Sequence, residues 1–207
     1  MLTALSLAHR ARLIVESIAR AMALVAGWSF LATAVFISVD VVCRAFLGFS
    51  SGATTEISGY LMAFGLSWSL AHALAERAHI RIDLLVMKMP LGLRVWMHLA
   101  ALLLLLALVA ILCWSAVNVL EETLLWNARD ISALRIPLIW PQGIWAFGLG
   151  ALAVFAAALT LEIVLLLAAR RPDDIDAMMR PRSADDDTEE TILALNEAPH
   201  ADPEDRP

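Results

Sequence analysis

AERAHIRIDLLVMKMPLGLR, residues 75–94, lies between two long apolar runs and carries Arg77, Arg81, Lys88 and Arg94. A basic hairpin between apolar runs marks the membrane side that retains Lys and Arg, and it orients every other segment. From His79 to Met89 apolar and basic residues mix in a pattern suited to the interface plane. Leu84, Leu85, Met87 and Met89 would dip inward while Arg81 and Lys88 reach toward headgroups. Pro90-Leu91-Gly92 then breaks the segment. The expectation is a short interfacial helix in the central hairpin.

The rest of the chain supports a membrane setting. Of 207 residues 60% are hydrophobic, above the half expected of a soluble domain. The excess falls in runs long enough to cross a hydrocarbon core about 30 Å thick. The fold class expected is therefore an all-α integral membrane protein with four transmembrane helices, at about 22–46, 53–75, 95–119 and 140–168. Residues 22–170 are its transmembrane domain. Residues 1–21 form a basic cytoplasmic N-terminal segment that could make a short interfacial helix with Leu7, Ile14 and Ile18 on one side. Residues 172–207 hold 12 acidic and 3 basic residues, a balance of -9, while 1–171 hold 9 acidic and 12 basic, a balance of +3. Acidic, proline-bearing and poor in large apolar side chains, the chain from 171 on reads as a disordered cytoplasmic tail. With no basic patch away from the membrane flanks, nucleic acid is not an expected partner.

Basic residues set the orientation. Arg10, Arg12 and Arg20 precede the first run, four Lys or Arg sit in the hairpin, and Arg170-Arg171 follow the last run. The other two loops hold Arg44, Arg129 and Arg135, with Glu121, Glu122 and Asp130 offsetting the last two. Both termini and the hairpin are thus expected on the cytoplasmic side.

Charge within the runs is sparse. Asp40 and Arg44 are four residues apart, share a helix face and can pair. Glu56 falls in the first turn of the second run, where the helix dipole favours an anion, and close to Arg44 across the Gly48–Gly52 turn. Glu162 lies near Arg170-Arg171. Two small-residue surfaces, Gly59-Ala63-Gly65 with Ser69 and Ala73, and Ala146-Gly150-Ala153-Ala157, offer close helix approach. Trp96 and Trp114 would mark the ends of the third run.

Catalytic patterns are absent: no nucleophile elbow, phosphate loop or HExxH occurs. Cys43 and Cys113 form no CxxC pair. No enzymatic activity and no cofactor are expected. One alternative is a haem-bearing redox anchor, with His72 and His98 brought to one depth by antiparallel neighbours. Another is a small self-contained exporter, which would need a mid-membrane acid, and Glu56 and Glu162 are poorly placed for that. No broken helix with a Gly/Pro centre is present, so a scaffold or accessory role is favoured over a self-contained transporter.

The residues assembled above resemble the small membrane subunit, the DctQ-like subunit, of the tripartite ATP-independent periplasmic (TRAP) transporters, over about residues 20–170. The resemblance rests on Arg44, on Glu56-Ile-Ser-Gly-Tyr-Leu, on His79-Ile-Arg-Ile-Asp-Leu-Leu with Pro90 and Arg94 behind it, and on Arg135-Ile-Pro137 with Trp140-Pro141. Ala78 stands where a glycine often precedes the histidine. The resemblance implies a bacterial inner-membrane scaffold subunit stably bound to a large membrane subunit. That partner imports an organic anion, often a carboxylate, with sodium, after a periplasmic solute-binding protein delivers it. Asp40, Arg44 and Glu56 would brace the periplasmic helix ends. His79, Arg81 and Asp83 would fix the hairpin, with Arg81 toward lipid phosphate.

Overall fold

In hydrocarbon a backbone has no partner but itself, so apolar runs of this length fold as helices. The computed structural model describes residues 2–76, 89–131 and 134–179. They form α1 (Leu2–Val42), α2 (Thr54–Ala75), α3 (Leu91–Trp126), α4 (Ile139–Ala168) and α5 (Pro172–Met179). A π-helical turn, Cys43–Leu47, follows α1. Arg129 and Pro137 make an isolated antiparallel bridge in the α3–α4 loop. Successive long helices run antiparallel, and α4 is the centre: it packs against α1, α2, α3 and α5. Its inward line is Leu149, Leu152, Phe155, Ala156, Leu159, Ile163 and Leu166, all buried.

Among the described residues three helical stretches are long and apolar enough to cross a membrane: Leu5–Leu47, Leu91–Trp126 and Ile139–Ala168. At 22 residues, about 33 Å, α2 has the length but not the composition. Ser58, Tyr60, Ser67, Trp68, Ser69 and His72 dilute its apolar character.

Several expectations need correction. The N-terminal segment is not a separate interfacial helix; it continues without a break into the first run as one 41-residue helix. Nothing in residues 2–42 interrupts helix formation, since no proline occurs and Gly27 is the single glycine. The third helix runs from Leu91 to Trp126 rather than about 95–119. Its last two turns hold Glu121 and Glu122, strong helix formers, and Asn127 in the left-handed region ends it. Trp114 therefore sits within the helix, and Trp126 closes it. The tail does not lose order at 171: Pro172–Met179 is a helix with Ile175 and Met179 fully buried against the bundle. Proline at its first position and two aspartates in its first turn are the signals that start it. The interfacial hairpin with His79, Arg81 and Asp83 lies outside the described residues, as does the chain beyond Met179.

The small-residue surfaces were half right. Gly65 is a true crossing point, where an added Cβ would come 2.8 Å from the Phe30 ring and from Ser29 Oγ. Gly59 and Ala63, in contrast, are exposed. On α4 the close approach is at Gly148, whose added Cβ would meet Ser67 Oγ at 2.6 Å and its carbonyl carbon at 2.7 Å. Gly150 faces open space and Ala157 is exposed.

Candidate functional site

Two polar clusters close the ends of this apolar bundle. At one end the α1–α2 turn is built on Asp40. Its carboxylate is almost wholly buried and accepts from Arg44 Nη2 at 2.9 Å, from the Ser51 backbone N–H at 2.9 Å and from Ser50 Oγ at 3.1 Å. Arg44 also donates to Ser50 Oγ at 3.0 Å. Gly48 and Gly52 take positive φ (70° and 68°), the conformation that lets five residues reverse the chain onto this carboxylate. The expected Asp40–Arg44 pair is therefore present. Glu56 does not join it: its buried carboxylate makes no hydrogen bond to Asp40 or Arg44 and lies beside the Tyr60 hydroxyl. The neighbouring Tyr60 hydroxyl donates to Asp130, which ties α2 to the α3–α4 loop. Further polar ties hold this end. Thr123 Oγ1 donates to Gln142 Oε1 at 2.6 Å between α3 and α4, and Trp68 Nε1–H donates to the Ile144 carbonyl at 3.0 Å between α2 and α4. Phe64, Trp68 and Phe147 stack around that last bond, with centroids 4.7 and 5.5 Å apart.

The other end is held by ion pairs between distant parts of the chain. Glu162 on α4 is 3% exposed. It accepts from Arg12 Nε at 2.6 Å, and His9 Nδ1 lies 2.9 Å from its other oxygen. Arg12 also donates to Glu16 at 3.0 Å, one turn along α1. Glu162 is thus paired with an arginine, but with Arg12 rather than Arg170 or Arg171. A second pair joins α3 to α5: Arg94 Nη1 donates to Asp176 Oδ2 at 2.9 Å, with His98 Nε2 at 3.9 Å from Oδ1. Arg94 is thus placed among the charged contacts that hold the bundle, and Pro90 caps α3 just before it in extended conformation.

Sequence reading missed every pair that joins separate helices. Helix spacing shows partners three or four residues apart, whereas Arg12 and Glu162 are 150 apart. The one available signal was Glu162 itself, the single charge between Arg135 and Arg170, which must find a counter-charge if buried.

The haem arrangement does not form. Ser67 meets Gly148 and Thr123 meets Gln142, which fixes the helix levels. With a rise of 1.5 Å per residue, His72 and His98 then lie about 20 Å apart along the bundle. His72 instead lies 4.0 Å from Glu76, and His98 faces Asp176. Among the described residues no three His, Cys, Asp or Glu side chains come together as a metal site would need.

Within each cluster the polar groups face one another rather than a substrate-sized chamber, and they tie helices and turns together. What they can do chemically is hold the helices in register. No curated protein and no solved structure matches the chain. The model of the DctQ component of the tripartite ATP-independent periplasmic transporters matches residues 32–166, most of the helical bundle and well over half of the sequence. On that match the chain belongs to the DctQ family of membrane transporter components.

Proposed function

We propose that this chain is the four-span scaffold subunit of a sodium-coupled importer of an organic anion and does not itself contact the anion. In this reading both termini and the 77–88 hairpin are cytoplasmic, α2 crosses the membrane beside α1 and α4, and the bundle stands in the bacterial inner membrane. The large membrane subunit binds it stably, and the periplasmic solute-binding protein docks transiently on the assembled pair. Arg81 contacts lipid phosphate, and His79 and Asp83 fix the hairpin.

The observation that carries the reading is the placement of charge. Asp40 is spent on Arg44 and the α1–α2 turn, and Glu162 on a clamp between α1 and α4, at the two ends of an apolar bundle. A transport path would instead place ionisable groups along a route between those ends. The alternation of basic segments supports the orientation.

A mild-detergent pull-down from native membranes tests this. Recovery of a large polytopic protein at near equal amount is expected. So is sodium-dependent uptake by liposomes holding both subunits and the binding protein, and none by liposomes holding this chain alone. Recovery of the chain by itself, or uptake by it alone, refutes the scaffold role.

A further inference from the structure

At the Arg12 end of the bundle α2 stops short of its neighbours. Leu74 and Ala75, in its last turn, line one small cavity with Phe155 and Leu159 of α4. From that level α4 runs on to Ala168, about another 14–20 Å. Among the described residues, the space beneath α2 is taken by α5. Arg170 adopts a positive φ of 55°, the Arg170 and Arg171 amides donate back to the Leu167 and Leu166 carbonyls, and the chain reverses. α5 then returns along α3 and α4 until Met178 and Met179 line the same cavity as Leu74 and Ala75.

The contacts of α5 lie on one side. Ile175, Asp176 and Met179 are its buried side chains, while Asp173 and Ala177 on the other side are exposed. Asp176 accepts from Arg94 Nη1 at 2.9 Å, and its other oxygen faces His98. The Arg171–Asp174 pair lies within the segment and does not tie it to the bundle. Eight residues are too few to stay helical unsupported, because the cost of nucleation outweighs so short a ladder. Arg170, Arg171 and Asp173 are exposed, so the segment starts at the aqueous edge. Detached, α5 would be solvated coil, and its folding and docking are therefore one step.

That step also closes the Arg12–Glu162 clamp. Arg12 faces the cavity that Met178 and Met179 help to enclose, a space of about 20 Å³ with room for about one water. Beside it the Arg12 side chain is 18% exposed and the Glu162 side chain 4%. With α5 away the cavity opens next to the guanidinium, and an ion pair in water retains little of its hold. We propose that α5 is a latch: its docking seals the pair that binds α1 to α4, and the intact pair in turn holds one wall of the α5 site. The C-terminal segment and the N-terminal half of α1, far apart in sequence, are then coupled through one order–disorder equilibrium.

Amide hydrogen exchange on the full chain in detergent tests the coupling. Ile175→Ser and Asp176→Asn are expected to speed exchange across 173–179 about tenfold or more, and across 10–16 of α1 about threefold or more. By reciprocity Arg12→Ala is expected to speed exchange in 173–179 as well. Ala177→Ser, on the exposed side, should change neither. The Ser51 amide at the opposite end should keep its wild-type rate in every variant, the sign of a folded bundle. In a Cys43→Ala, Cys113→Ala background, a short bis-maleimide is expected to join Ala75→Cys to Met178→Cys, and Ile175→Ser to lower that yield. Wild-type α5 that exchanges like free chain, or absence of the cross-link, refutes the docked latch. Release of α5 with no change in 10–16, or no response of α5 to Arg12→Ala, refutes the coupling.

Discussion

Replacing Arg12 with alanine breaks a contact between residues 150 apart in the chain. Glu162 is buried, and the 2.6 Å bond from Arg12 is its shortest contact. Removing one partner of a buried ion pair costs about 3–5 kcal/mol, because the remaining charge stays desolvated. Here His9 remains 2.9 Å from the carboxylate and the Arg12 side chain is 18% exposed, so the lower end, about 3 kcal/mol, applies. A chain of this size loses about 2–4 °C per kcal/mol, which predicts a fall of about 6–12 °C in thermal midpoint. The assay is thermal unfolding in one detergent, followed by tryptophan fluorescence and circular dichroism. Glu162→Gln alone and combined with Arg12→Ala completes a double-mutant cycle, and the two effects are expected to be strongly non-additive. Arg12→Met with Glu162→Leu, an apolar pair of similar volume, is expected to recover most of the lost stability. A shift under about 2 °C for Arg12→Ala, or simple additivity, refutes the argument that this pair is a buried clamp.

Gly148→Ala places a Cβ 2.7 Å from the Ser67 carbonyl carbon, which cannot rotate away, and should destabilise by about 1–3 kcal/mol. Gly150→Ala meets nothing within 4 Å and should be neutral or slightly stabilising in the same melts. Asp40→Ala removes the acceptor of the Ser51 amide, so hydrogen exchange at that amide should speed by about tenfold or more; unchanged exchange would show that the turn holds itself. A phosphatase fused after Gly52 should be active and one after Met89 inactive, and the reverse would overturn the orientation.

Helix positions were legible where hydrophobicity and local chemistry act within a few residues. Thr54–Ala75 and Ile139–Ala168 follow apolar runs bounded by Gly48–Gly52 and by Trp140-Pro141, and both match expectation closely. Asp40 and Arg44 could be paired from spacing because the helix itself sets their distance. Ends were less legible, because charge does not stop a helix: Glu121, Glu122 and the Arg10–Arg20 segment read as loop or surface, yet their backbones remain helical. The Glu162 clamp and the docking of α5 were hidden for a different reason. Arg12 with Glu162, and Arg94 with Asp176, meet only after the helices pack, and no periodicity carries that information. The α4 small-residue stripe missed by two residues for the same cause, since Gly148 and Gly150 differ only in which neighbour faces them.

The central place of α4 also sets the order in which the bundle can be made. The helix against which the other long helices pack is the last of them to be synthesised. At about 5–20 residues per second, the roughly 100 residues between the end of α1 and the start of α4 take about 5–20 s to emerge. Through that interval Arg12 has no Glu162, and α2, with its diluted apolar character, can lean on α1 but not on α4. Assembly is therefore paced by translation: the nascent chain must be kept from mispairing until its fourth long segment arrives to complete the packing.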